Sequence, residues 1–262
     1  MKLSISNIGW TDNDNLAIYQ LMKKNGYSGL EIAPTRIFPV TPYENLDKAS
    51  QWSKELYENY GFSVPSIQSI WYGRQEKIFG TDEERQELLE YTKKAIDFAH
   101  AIGCRNLVFG CPRNRVLPEG VDEKLAVSFF RELGEYAVSK NTVIGMEANP
   151  PIYNTNYIND TLSALKLIKE VNSDGFKLNL DVGTMIYNHE PASQLIGNVK
   201  YINHVHISEP NLKPIEKRKL HQELKQLLVS ENYKGFISIE MGKVDDISII
   251  NEKLKYISKV FQ

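Results

Sequence analysis

Acidic and imidazole side chains stand where four apolar, β-rich runs of the sequence end. Glu147 closes the run VIGME, Asp181 closes FKLNLD, Glu240 closes FISIE, and His206 lies near the end of INHVHI. If these groups converged in space, they would repel one another and shift each other's pKa values unless a divalent cation neutralised them. Three carboxylates with one histidine suit Mn²⁺, Mg²⁺ or Co²⁺, and Zn²⁺ is an alternative. The pattern predicts a site for one divalent metal ion.

Each of these residues also has an ordinary structural interpretation. An acidic residue after a strand is often a helix N-cap or a salt-bridge partner, so no single one identifies a site. Four at equivalent places on adjacent strands form a much more specific pattern. His204 shares a strand face with His206 because side chains alternate along a strand. It lies deeper, so we expect it to support a ligand or to belong to the core.

The elements that must position these residues alternate regularly along the chain. Helical segments separate eight β-like runs, which cover residues 3–8, 29–33, 64–70, 106–110, 143–147, 176–181, 202–207 and 236–240. Eight β-then-α units predict a parallel sheet closed into a (β/α)₈ TIM barrel, with residues 1–262 as a single domain. The alternative is a doubly wound open sheet, but no glycine-rich dinucleotide loop follows any run.

Helix boundaries are marked by good start and stop signals. Thr81 with Glu84 three residues later is a capping box, and Gly61 and Gly103 are stop signals. Apolar periodicity predicts further helices over residues 44–60, 123–139, 160–171, 192–196, 216–231 and 247–260.

The composition and net charge limit the classes of function that this protein can have. The 262 residues carry a net charge of −2 with scattered basic residues, which argues against nucleic acid as the main partner. The first ten residues lack the apolar core of a signal peptide, and no apolar run reaches the roughly 20 residues of a membrane span. Two cysteines, Cys104 and Cys111, are too few for a disulfide framework. We therefore expect a cytoplasmic protein without a membrane partner.

Four motifs, GMEANP, LDVGT, VHISE and YKGFISIEM, surround the predicted ligands. In this order they resemble the xylose-isomerase-like barrel superfamily, specifically the sugar phosphate isomerase/epimerase branch that includes the ketose 3-epimerases. The resemblance implies that Glu147, Asp181, His206 and Glu240 bind one divalent metal, most often Mn²⁺. It also implies that the two glutamates act as an acid/base pair on opposite faces of a sugar, through a metal-stabilised enediolate.

The sequence departs from the epimerase pattern at two places. Thr184 stands where those enzymes usually carry histidine, and Leu212 and Lys213 stand where they tend to place arginine, whereas Glu209 matches a common acidic residue. The superfamily also contains three-zinc DNA-repair endonucleases, which need histidines at the ends of strands three and four. This chain has Gln68 and Gly110-Cys111 there, so we reject a nuclease function.

Loops after the strands offer groups that could contact a substrate. Arg113 and Arg115 could hold a carboxylate or phosphate by forked hydrogen bonds, although ordinary surface salt bridges are an equal alternative. Trp71 could be a platform for a sugar ring or simply a packed aromatic. The predicted substrate contacts are Glu31, Gln68, Trp71, Arg113, Arg115, Asn149 and Glu209.

The leading functional hypothesis is a metal-dependent isomerase or epimerase that acts on a small-molecule sugar or sugar-like ketone. A lyase on the same metal core, such as a dehydratase of a keto-inositol or related polyol, is the second hypothesis. The third is a non-catalytic sugar-binding barrel, although binding alone would not need both Glu147 and Glu240. Family analogy adds a homo-oligomer as an expectation.

Overall fold

Seven strands form one curled parallel sheet in the computed structural model, which describes residues 1–262. They are β1 (Lys2–Ser6), β2 (Gly29–Glu31), β3 (Leu107–Phe109), β4 (Ile144–Met146), β5 (Phe176–Asp181), β6 (Ile202–Ile207) and β7 (Phe236–Ile239). The order is β2-β1-β7-β6-β5-β4-β3, so consecutive strands are neighbours in the sheet except β2 and β3, and β7 pairs with β1. All pairs are parallel, as a barrel of β/α units requires.

The predicted strand over residues 64–70 is not a regular strand. Single bridges join Gly29 to Ser63, Ile32 to Ile67 and Ile67 to Leu107, so the segment still lies between β2 and β3. Pro65 has no N–H to donate, which explains why the ladder on this segment is interrupted. The barrel therefore closes through seven regular strands and one irregular segment in the eighth position.

Eight α-helices surround the sheet. They are α1 (Asn15–Lys24), α2 (Leu46–Tyr60), α3 (Asp82–Ala101), α4 (Lys124–Ser139), α5 (Thr161–Val171), α6 (Val182–Tyr187), α7 (Lys219–Ser230) and α8 (Ile247–Phe261). Thr81 caps α3 in the predicted capping box with Glu84. The helix predicted over residues 192–196 is wrong, because Ala192–Leu195 is one 3-10 turn between Pro191 and Gly197. Helix α7 begins later than predicted.

The short helix α6 was not predicted from the sequence. It begins directly after β5, and the Asp181 side chain accepts a hydrogen bond from the Thr184 backbone N–H at 2.6 Å. Six residues are too few to show a clear apolar period. The N-cap alternative therefore holds for Asp181, alongside its place among the four predicted ligands.

One continuous apolar core of 67 buried residues fills the barrel and the space between the sheet and the helices. At its centre the Phe130 and Phe176 rings stack with their centroids 4.7 Å apart. No helix combines the length and the apolar character needed to cross a membrane. The core holds the strand ends in fixed positions, and these ends carry the predicted ligands.

Candidate metal centre

The four predicted ligands meet at the carboxyl ends of adjacent strands. Glu147 follows β4, Asp181 ends β5, His206 lies near the end of β6, and Glu240 follows β7. One potential ligand atom from each lies within 4.8 Å of all the others. The three carboxylates line a cavity of about 220 Å³ that opens at this end of the barrel. The positions are those of the active site in TIM-barrel enzymes.

His206 lies beneath the carboxylates with no exposed surface. Its Nδ1 is 2.9 Å from Glu147 Oε2 and 3.2 Å from Glu240 Oε2, but neither contact has hydrogen-bond geometry. The other ring nitrogen, Nε2, is 2.9 Å from Glu31 Oε2. A carboxylate only accepts, so Nε2 carries a proton, and Nδ1 is the nitrogen that can give its lone pair to a metal. A buried nitrogen without a partner, aimed at carboxylates, is what a metal ligand requires.

Glu147 is oriented by two amide groups. Asn149 Nδ2 donates to Oε1 at 3.0 Å, and Asn179 Nδ2 donates to Oε2 at 2.8 Å. Arg115 supports this arrangement from behind, because its guanidinium donates to the Glu147 backbone carbonyl and to Asn149 Oδ1, both at 2.8 Å. Donors to both oxygens fix the direction of this carboxylate.

Asp181 is held by groups from two elements. The Thr184 backbone N–H donates to one carboxylate oxygen, and the Ser208 hydroxyl donates to the other. Ser208 in turn accepts from the Gly183 N–H at 2.8 Å. Burial, followed by the charge of Glu147, raises the pKa of Asp181 to about 6. The carboxylate is therefore fixed in place although its charge is poorly compensated.

Glu240 receives no hydrogen bond from an amide group. Burial raises its pKa to about 7, against the lowering effect of His206. The pKa of His206 is raised well above its ordinary value, because Glu31 and Glu240 outweigh the effect of burial. The chain therefore gathers more negative charge here than its own groups neutralise. Three carboxylates and an imidazole with an unpartnered nitrogen fit a divalent cation such as Mn²⁺.

A layer of polar groups below the ligands fixes His206. Glu31 is fully buried, and its Oε2 lies 3.0 Å from His204 Nε2 as well as 2.9 Å from His206 Nε2. Burial raises the pKa of Glu31, but the charge of His206 and the contacts with both histidines outweigh it, so the pKa is lowered. Gln68 Nε2 is 3.3 Å from the other oxygen of Glu31. Glu31 is thus a buried partner of the ligand histidine.

The structure divides the predicted substrate contacts into two groups. Three of them, Gln68, Asn149 and Glu209, line the cavity, and the other four do not. Trp71 is buried, with its Nε1 donating to Thr92 Oγ1 at 2.8 Å and its ring packed edge-on against Phe109. Arg113 is exposed outside the cavity. Glu31 and Arg115 lie behind the ligands, as described above.

Asn179 and Ser208 belong to the site but were not singled out from the sequence. Asn179 precedes Asp181 by two residues on β5, and Ser208 follows His206 by two residues. The period of two along a strand was the available signal, because it places both on the face of a predicted ligand. On this ground alone, Asn179 and Ser208 could have been predicted as members of the site.

Thr184, which departs from the epimerase pattern, and Glu209, which matches it, both have clear partners in the structure. Thr184 is buried, and its hydroxyl donates to the Ala148 carbonyl at 2.7 Å, which ties α6 to the loop after β4. Glu209 lines the cavity, and Arg218 Nε donates to its Oε1 at 2.7 Å. Arg218 was not predicted from the sequence. It supplies a guanidinium near the loop after β6, but it pairs with Glu209 and does not line the cavity.

Comparison with known proteins places this geometry in a family. A model of the family described as xylose isomerase-like TIM barrel matches residues 19–260. No protein with a curated description matches the sequence. Among solved structures, 240 chains match.

Three of these structures show the range of similar proteins. A 3-keto-D-glucoside 4-epimerase from E. coli is 18% identical, with 99% of each chain covered and a TM-score of 0.77. A D-psicose 3-epimerase from Clostridium cellulolyticum H10, crystallised with D-tagatose, is 14% identical, with 100% of each chain covered and a TM-score of 0.80. A family 2 AP endonuclease from Brucella melitensis is 20% identical, with 99% of each chain covered and a TM-score of 0.73. At these identities the similarity shows the fold. With the family model covering most of its length, the chain belongs to the xylose isomerase-like TIM barrel family.

Proposed function

We propose that this protein is a divalent-metal-dependent epimerase or isomerase of a neutral sugar or sugar-like ketone. The observation that carries the proposal is the convergence of Glu147, Asp181 and Glu240 on the unpartnered Nδ1 of buried His206. The 3-epimerase and 4-epimerase among the similar structures support this reaction class. The same donor set supports Mn²⁺ as the metal, held by these four residues.

The two glutamates supply the proton transfers of such a reaction. A bound divalent cation would polarise the substrate's carbonyl group and lower the energy of the charge that develops on its oxygen. Glu147, fixed by Asn149 and Asn179, suits the role of the base that removes a proton from the carbon beside the carbonyl. Glu240, which has no amide donor, suits the role of the acid that returns a proton to the opposite face.

The charge of the cavity favours an unphosphorylated substrate. Four carboxylates line it, those of Glu147, Asp181, Glu209 and Glu240, and no lysine or arginine does. The lining offers a phosphate group no lysine or arginine, although anionic ligands are held by paired cations or backbone N–H groups. Arg115, an early candidate for a phosphate contact, is fully buried and donates to Glu147 and Asn149 instead. The hydroxyl groups of a neutral sugar can instead donate to Glu209 and contact Gln68.

The same lining argues against a nuclease. Gln68, Gly110 and Cys111 line the cavity at the positions where the three-zinc enzymes need histidines, and none of them offers an imidazole. A DNA backbone would also meet the carboxylates of a cavity whose lining contains no lysine or arginine. The cytoplasmic location, the homo-oligomer and the single-domain organisation of residues 1–262 stay predictions.

Product analysis tests the proposed reaction. Mn²⁺-loaded protein would be incubated with a panel of free ketoses and keto-sugars and with their phosphates, and products would be identified by NMR and mass spectrometry. We expect an isomer of unchanged mass from a neutral sugar and none from its phosphate. Loss of water would indicate the lyase instead. A preference for phosphates, or no conversion of any sugar by metal-loaded protein, would contradict the proposal.

A further inference from the structure

A second cavity lies beside the metal centre at the same end of the barrel. It has a volume of about 590 Å³ and shares Ile8 and Ser69 with the cavity that the carboxylates line. The remaining lining includes Thr35, Arg36, Pro39, Pro42, Tyr72 and Tyr91. We call these residues, with Ile8 and Ser69, the rim groove. Because two lining residues are common to both cavities, the cavities are direct neighbours.

The metal-site cavity is small for a ligand of its own. Its volume of about 220 Å³ is below the roughly 300–1,000 Å³ of typical small-molecule pockets. The rim groove lies within that range. A substrate that fills both cavities is therefore larger than one ring and has its reacting end at the carboxylates.

The groups of the rim groove are those that recognise a neutral sugar. Tyr72 is 73% exposed, so its ring is a free apolar surface against which the C–H face of a sugar can pack. The hydroxyls of Thr35 and Ser69 can exchange hydrogen bonds with sugar hydroxyls. Tyr91 contributes less, because the guanidinium of Arg74 already lies 4.8 Å from the centre of its ring.

The charge of the rim groove disfavours an anionic occupant. Its only cation, Arg36, donates through Nη1 to the Trp10 carbonyl at 2.7 Å and through Nη2 to Asp12 at 2.6 Å. The guanidinium is thus held by the chain's own groups, and its charge is balanced by Asp12. A phosphate or carboxylate in this groove would have no free cation to bind.

We propose that the substrate is a neutral glycoside, with its reacting ring at the carboxylates and a second sugar ring in the rim groove against Tyr72. This inference rests on the proposed function, because it takes the carboxylate cavity as the place of the reacting ring. It narrows the substrate class from sugars in general to glycosides of at least two rings.

Binding measurements on matched ketoses test the second ring. Isothermal titration calorimetry would compare D-fructose with maltulose and lactulose, in which a second ring is joined to fructose. The proteins would be the Mn²⁺-loaded wild type, Tyr72→Ala and Tyr57→Ala. Tyr57 is a matched control, because it is 64% exposed on α2 and does not line the groove.

We expect at least one disaccharide to bind the wild type about tenfold more tightly than fructose, as a well-packed aromatic contact allows. Tyr72→Ala should remove that gain and leave fructose binding unchanged, and Tyr57→Ala should change neither. Equal affinity of the wild type for fructose and both disaccharides would overturn the proposed second-ring site. The proposed sugar site at the carboxylates would still be supported. If none of the three sugars binds the wild type, both proposals fail.

Discussion

The two halves of the barrel contribute different things to its open end. Strands β4 to β7 each carry one of the four converging ligands, Glu147, Asp181, His206 and Glu240. The first half adds no carboxylate to the cavity. Its one acidic strand residue, Glu31 of β2, is turned inward onto the histidines, and its loops form most of the rim groove. We therefore propose that the second half carries the chemistry and the first half the recognition of the substrate.

This difference shows how one barrel can separate reaction from specificity. In the ligand half, Glu147, Asp181 and His206 are each held by a hydrogen-bonding neighbour, such as Asn179, Ser208 and Glu31. The groove half presents exposed side chains on loops, which can change without disturbing the ligands. Changes in the second half should therefore affect metal and turnover, and changes in the first half should affect the choice of substrate.

The largest expected effect is on turnover in the ligand half. Glu147→Gln keeps the shape of the side chain but removes the proton acceptor, so turnover of a neutral sugar should fall by about 10²–10⁴-fold. The measurement is turnover of a sugar that the wild type converts. Glu119→Gln is the matched control, because Glu119 is exposed and does not line the cavity. Full activity of Glu147→Gln would remove this residue from the reaction.

A smaller effect should follow from Glu31, the residue of the first half that contacts the ligand histidine. Glu31→Gln leaves His206 Nε2 without its carboxylate partner, so Mn²⁺ affinity should fall roughly 10–100-fold. Titration calorimetry measures the affinity, and ¹⁵N chemical shifts of the histidine ring report the tautomer. Unchanged affinity and an unchanged tautomer would show that Glu31 is only a packed core residue.

The smallest expected effect is on the pH dependence of stability. It concerns His221, a buried histidine of the second half that is not one of the predicted ligands. His221 on α7 has no exposed surface, and burial lowers its pKa to about 4. The folded protein thus favours the neutral ring, and this contribution is complete above the ordinary pKa of about 6.5 and is lost as the pH falls from there toward 4.

Between pH 7.5 and pH 4.5 the loss from His221 should be about 2 kcal/mol of the free energy of unfolding. Denaturant unfolding of wild type and His221→Gln at both pH values isolates the contribution, because the variant lacks the titrating ring. If the free energy of unfolding changed equally with pH in the two proteins, the predicted contribution of His221 would be contradicted. The His221 ring packs in the interior with Nδ1 2.9 Å from the Tyr256 hydroxyl.

The sequence was informative about the second half because its signals are local. An apolar run that ends in an acidic residue can be read directly, so Glu147, Asp181 and Glu240 could be proposed together, and the structure brings them together with His206. The repeating β/α pattern likewise predicted the barrel. The period of two on a strand could also have indicated Asn179 and Ser208.

The first half was harder to predict because its features depend on tertiary contacts. Whether Glu31 faces a substrate or a histidine depends on β6, which is about 170 residues away in the chain. Arg115 and Trp71 are of types that often contact ligands, but packing against Glu147 and Phe109 turns both inward. The irregular segment at residues 64–70 depends on Pro65 and on the two strands that flank it. The periodicity of apolar residues does not show which neighbour a side chain faces or whether a segment pairs regularly with the flanking strands.

The most direct test of the account is the metal content of the purified protein. Elemental analysis after Mn²⁺ reconstitution and desalting would compare wild type with the Glu147→Gln/Asp181→Asn double variant. Circular dichroism would confirm that both proteins are folded. We predict about one equivalent of divalent metal in the wild type and a near-complete loss in the variant. No bound metal in the folded wild type, or equal amounts in both proteins, would contradict the claim that these four residues form a metal centre.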